Sequence, residues 1–141
     1  RQTMFAEFEY IAHSMAEENV PLTVDSIREM YRGLLSSYFG DSMVFTDYCD
    51  LEALRIPHFY RAFYVYKYAT GLTAAIALSE KVLENGVEAR GRYLDFLKSG
   101  GSKYPLDSLK TAGVDMSERS VYETVVDTFS KNIDRLQEYF H

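Results

Sequence analysis

Met4, Phe5, Phe8, Ile11, Ala12 and Met15 recur at i, i+1, i+4, i+7, i+8 and i+11, the apolar stripe of an amphipathic helix. Glu7, Glu9, Ser14, Glu17 and Glu18 take most of the positions between them. Of Arg1-Gln2-Thr3 only Thr3 could cap this helix, with Ala6 where an acid would complete a capping box. The pattern therefore predicts a helix that has been cut into, in a chain that is a piece of something longer. Pro21 should end it, and Thr23 should cap a second helix with Ile27, Met30, Tyr31, Leu34 and Tyr38 on one face and Gly40 as its stop. Asp41 to Asp50 has no regular period, and Leu51 to Leu54 suggests a helical turn.

Pro57 disfavours a helical Ile56 and suits the start of a new element. The spacing after it predicts a third helix from about Phe59 to Glu84, closing at Asn85-Gly86. A fourth is expected over about Val87 to Lys98 with Tyr93, Leu94 and Leu97 inward. "SGGSKYP" (Ser99 to Pro105) reads as a loop, and Pro105 opens a short helix ended by Gly113. Asp115 and Glu118 have capping-box spacing. The last helix carries Val121, Val125, Phe129, Ile133, Leu136 and Phe140 on one stripe. There is no alternating strand pattern, internal repeat or low-complexity linker. The sequence predicts an all-α fold, residues 1–141 forming a single helical region.

Composition narrows this. A chain of 141 residues, 47% apolar, is about one domain long and can bury a core. The net charge of −6 argues against a nucleic-acid partner, which needs clustered Lys and Arg for counterion release. Cys49 is alone, so no internal disulfide forms and a reducing compartment is the easier setting. No apolar run approaches the 18 or more residues of a membrane span.

Candidate chemistry is sparse. The sequence contains no HExxH, no CxxC, no Gly-rich phosphate loop and no G-x-S-x-G turn. His13 stands one turn from both Glu9 and Glu17, a conceivable metal triplet, but such spacing more often makes a solvated ion-pair ladder. "SGGS" could cradle a phosphate, yet without a preceding strand a helix stop and turn is the better expectation. The stretch "RIPHFYRAFYVYKYATG" is different: six of the ten residues from Phe59 to Tyr68 are aromatic, four of them tyrosines. At 100° per residue Tyr60, Tyr64 and Tyr68 would line one helix face. Either the hydroxyls find partners inside a core, as buried tyrosines usually do, or they face a polar cleft beside His58. In a cleft, neutral phenols donate hydrogen bonds and an imidazole donates or accepts, which suits peptide carbonyls or a developing oxyanion.

"RQTMFAEFE", "IPHFYRAFYVYKYATGL", "SGGSKYPLD" and "AGVDM", in this order, resemble the C-terminal part of the catalytic region of the oligoendopeptidase F family, zinc metallopeptidases related to thimet oligopeptidase. The resemblance implies a multi-helix C-terminal subdomain of a zincin-like metallopeptidase. It also implies cytoplasmic cleavage of internal bonds in short peptides. Zinc would be held by the two histidines of an HExxH and a further glutamate, with the HExxH glutamate as general base. In the family these elements precede the "RQTMFAEFE" segment, so this chain would bind no metal itself, and the missing N-terminal part of the same enzyme would be its partner. By the same resemblance His58 matches a substrate-contacting histidine, and Tyr66 matches the tyrosine that hydrogen-bonds the tetrahedral oxyanion. Tyr60 and Tyr64 are candidates for that role or for substrate backbone contacts. The alternative function is a non-catalytic helical module that binds a peptide or partner helix through the tyrosine wall.

Overall fold

The computed structural model describes residues 1–140, and all regular structure among them is helical. The chain divides into two compact units, Arg1–Ala69 and a second beginning at Thr70.

In the first unit α1 (Gln2–Glu17) packs on α2 (Val24–Phe39). Their stripes bury Met4, Phe5 and Phe8 against Tyr31, Leu34 and Leu35, as the period predicts. Thr23 caps α2: its hydroxyl accepts from the Ser26 N–H at 3.1 Å, and the Ser26 hydroxyl accepts from the Thr23 N–H at 2.9 Å. Gly40, at φ +66° and ψ −171°, takes a backbone conformation that only glycine adopts readily, and the helix stops there. Buried Asp50 receives Arg28 at 3.2 Å and Arg32 at 3.5 Å, tying the 3-10 turn Cys49–Leu51 to α2. The short α3 (Glu52–Arg55) follows, and Glu52 accepts from the buried Tyr31 hydroxyl at 2.7 Å. Burial first, then that hydrogen bond, raises the Tyr31 pKa, so the phenol stays protonated.

The expected helix does not start at Phe59. Pro57–Tyr60 is a 3-10 turn, Arg61 to Val65 is non-helical with Phe63 at φ +53°, and α4 (Tyr66–Lys98) begins at Tyr66. The core explains the difference. Phe59 packs with Phe5 and Phe8 at ring distances of 5.4 and 4.8 Å, and Val65 is buried in the same cluster. On a continuous helix, residues six apart point about 120° away from one another, so one core could not take both. The chain turns instead.

In the second unit Gly86, at φ +60° and ψ −133°, interrupts α4 where Asn85-Gly86 is expected to close a helix. After it Tyr93 and Phe96 pack toward Ala77, Leu78, Ala112, Val114 and Val121, whereas Leu94 and Leu97 are exposed. The inward face is thus the Tyr93–Phe96 edge, a correction to the expected Tyr93, Leu94 and Leu97. Pro105 opens α5 (Pro105–Thr111) and α6 runs over Arg119–Glu138. The Asp115–Glu118 capping box is not made. Asp115 Oδ1 accepts instead from the Ser117 N–H and hydroxyl at 2.9 and 2.6 Å, and Lys110 lies 3.0 Å from Oδ2. On α6 only Val121 is buried, while Phe129, Ile133 and Leu136 of the predicted stripe are exposed.

Candidate functional site

Two pins, the half-buried Phe59 and the buried Val65, hold the turn from the 3-10 segment into α4, and the residues between them project from the core. This places His58, Tyr64 and Tyr68 together. The imidazole stacks on the Tyr64 ring (5.4 Å, 30°) and meets Tyr68 edge-on (6.1 Å, 88°), and the two phenol rings lie 5.9 Å apart at 62°. Lys67 Nζ sits 3.9 Å from the centroid of the Tyr64 ring, a cation–π contact. The hydrogen bond to the Tyr64 hydroxyl, then partial burial, raises the pKa of Tyr68. Tyr68 therefore keeps its proton well above neutral pH, and its hydroxyl remains a neutral donor.

The cluster is open to solvent. His58 is exposed, Tyr64 half-buried and Tyr68 42% exposed. Tyr66, the first residue of α4, is 52% exposed. Tyr60 is 76% exposed and turns back on its own chain, donating to the Leu54 carbonyl at 2.7 Å, so its oxygen offers acceptor lone pairs outward. The single helical face of Tyr60, Tyr64 and Tyr68 is thereby corrected: Tyr64 and Tyr68 meet, and Tyr60 lies on the preceding 3-10 turn.

Three contributors escaped sequence reasoning as site residues. Tyr68 carried a signal, its i, i+4 spacing from Tyr64. Lys67 carried one only through its adjacency to the aromatics. Glu9 carried none, because it reads as a solvent-facing acid on α1. In the structure it is 3% exposed, and its Oε1 accepts from the Phe63 N–H at 2.7 Å. His13 lies on the Phe63 ring (4.4 Å, 28°). The expected ion-pair ladder gives way to these contacts at Glu9 and His13, which face the turn at Phe63, while Glu17 stays exposed to solvent. These residues do not fit a zinc ion. Among the described residues no three His, Cys, Asp or Glu side chains converge as metal ligands.

A concavity of about 730 Å³ lies elsewhere, within the second unit, between Ala74, Leu78, Tyr93, Phe96, Pro105 and Leu109. It shares no lining residue with the ring cluster. Gly100 and Gly101 edge it, where Ser99 ends α4 by returning its N–H to Asp95 and Phe96, and Gly100 takes φ +54°. "SGGS" is thus a helix stop and turn. No described helix is long and apolar enough to cross a membrane.

Similarity to known proteins agrees with the all-α reading. The profile of Peptidase family M3 matches residues 1–127. An oligoendopeptidase F homolog of Borreliella burgdorferi is 46% identical over 140 residues, covering 99% of this chain and 24% of that protein. Oligopeptidase PepF of Bacillus subtilis is 49% identical over 138 residues, covering 98% of this chain and 21% of that protein. The crystal structure of oligoendopeptidase F from Enterococcus faecium superposes with a TM-score of 0.93 at 40% identity, over 98% of this chain and 26% of the other. The chain thus spans about a fifth to a quarter of the length of the relatives it matches. It belongs to Peptidase family M3.

Proposed function

From that membership we propose that the chain is the C-terminal part of the catalytic region of a zinc-dependent oligoendopeptidase that hydrolyses internal bonds of short peptides in the cytoplasm. In this reading zinc, when bound in the parent enzyme, activates water and is held by residues outside these 141, including an HExxH. This chain contributes donors. The His58 imidazole and the Tyr66 hydroxyl donate to the carbonyl oxygen of the scissile bond as it becomes an oxyanion. Tyr64 lies against His58 and fixes its ring plane while contacting the substrate backbone, and the outward lone pairs of Tyr60 accept a peptide N–H. The Lys67 charge beside Tyr64 favours negative charge developing nearby.

The observation that supports this reading is the solvent-facing convergence of the His58 imidazole with the Tyr64 and Tyr68 rings next to the exposed Tyr66 at the start of α4. A core helix would have sealed them in. Oxyanion donors act more strongly in the transition state than in the ground state, so their loss falls on kcat. Tyr66→Phe and His58→Ala in the full-length enzyme should each lower kcat by about 10²–10³-fold with KM changed far less. Steady-state kinetics on an internally quenched peptide checks this. A loss confined to Tyr64→Phe or Tyr60→Phe would move the oxyanion role to that tyrosine. Unchanged kcat in all four variants, with weakened peptide binding, would leave the binding-module alternative.

A further inference from the structure

Glu9 is an acid buried on a helix whose other buried positions are Met4, Phe5 and Phe8. Placing a carboxylate there is costly unless its hydrogen bonds repay it. Its partner is the backbone N–H of Phe63, at 2.7 Å, and Phe63 is a bulky residue in the left-handed region at φ +53°. Such a conformation is strained for any residue with a Cβ and persists only where the surroundings hold it. The same helix supplies a second hold, because His13, one turn beyond Glu9, stacks on the Phe63 ring. Tyr64 follows Phe63 directly and packs on His58. The φ of Phe63 therefore decides whether Tyr64 lies against the imidazole or swings away from it.

We infer that Glu9 is a positioning residue: its carboxylate clamps the left-handed turn at Phe63 and so holds Tyr64 and His58 in register for the peptide substrate. The inference rests on the catalytic reading of His58 and Tyr66, but the clamp itself is measurable without activity. Glu9 touches neither substrate nor metal in this scheme and acts only through the turn.

The test uses the full-length peptidase and four variants. Glu9→Met fills the space without an acceptor, Glu9→Gln keeps an acceptor oxygen, Phe63→Gly removes the Cβ that makes a positive φ costly, and Glu9→Met/Phe63→Gly combines two of these. The readouts are amide exchange over residues 61–65, the NMR shifts of the His58 ring protons, which sense the Tyr64 and Tyr68 ring currents, and kcat. Glu9→Met should speed exchange about tenfold or more, move the His58 shifts toward those of an isolated imidazole, and lower kcat by about 10²-fold through misplacement. Glu9→Gln should stay close to wild type. Adding Phe63→Gly to Glu9→Met should bring back most of the His58 shift and of kcat. Slow exchange and unmoved His58 shifts in folded Glu9→Met would overturn the clamp, as would damage by Glu9→Gln equal to that by Glu9→Met. Faster exchange with undiminished kcat would overturn the positioning role. Should Glu9→Met not fold, the double variant decides: folding regained with the wild-type His58 shift supports the clamp, and folding not regained overturns it. If His58 and Tyr66 prove dispensable for catalysis, the exchange and NMR readouts still judge the clamp alone.

Discussion

Asp115 illustrates how single side chains in this chain do work other than that their spacing suggests. The Asp115–Glu118 interval matches a capping box, yet the carboxylate serves Ser117 and Lys110. Hydrogen bonds from the Ser117 side chain and backbone, then from Lys110, pull its pKa from 3.8 down to about 2. A carboxylate whose folded pKa is depressed stabilises the fold above its unfolded pKa, and that contribution is lost as pH falls toward the folded value. Asp115→Asn should therefore lower stability at pH 5 to 7, with the gap to wild type closing between about pH 4 and pH 2. Denaturant unfolding at several pH values checks this, and a gap independent of pH would mean that the charge is immaterial. Sequence could name Asp115 and Glu9 as acids but not their partners, because both choices depend on which backbone N–H the fold brings near.

At the scale of elements, helices with a clean stripe and chemical stops were legible. α1 and α2, the Thr23 cap, the Gly40 stop, the break at Gly86 and the Pro105 start all follow local rules. The stretch from Phe59 to Val65 did not, since its aromatics satisfy helical spacing while the core demands that Phe59 and Val65 point the same way. Packing overrode periodicity there, as it commonly does for short segments. The proposed function depends on this turn. A continuous helix would have spread His58, Tyr60, Tyr64 and Tyr68 along its length, whereas the turn folds His58 back onto Tyr64 and Tyr68. The residue types of the site could be read from sequence; their grouping required the tertiary pins.

Across the whole molecule the apolar positions outnumber what the two cores bury. Val126, Phe129, Leu136 and Phe140 remain exposed along and just beyond α6, and Leu83 and Val87 around the Gly86 break. Exposed apolar surface on this scale promotes association, so the isolated 141-residue chain should self-associate as its concentration rises. Light scattering would show an increasing mass, and a monomer persisting at high concentration would count against it. The same chain spans only a fifth to a quarter of its relatives' length, so the proposed catalysis is a property to test in the full-length protein, where the reading requires preference for the transition state over the substrate. That preference is measured most directly by the affinity of a tetrahedral phosphinic pseudopeptide beside that of the matching uncleaved peptide, in wild type, Tyr66→Phe and His58→Ala. The pseudopeptide should weaken by about 10²–10³-fold in each variant while the peptide changes by less than about threefold. Equal weakening of both ligands, or of neither, would contradict an oxyanion role for this turn.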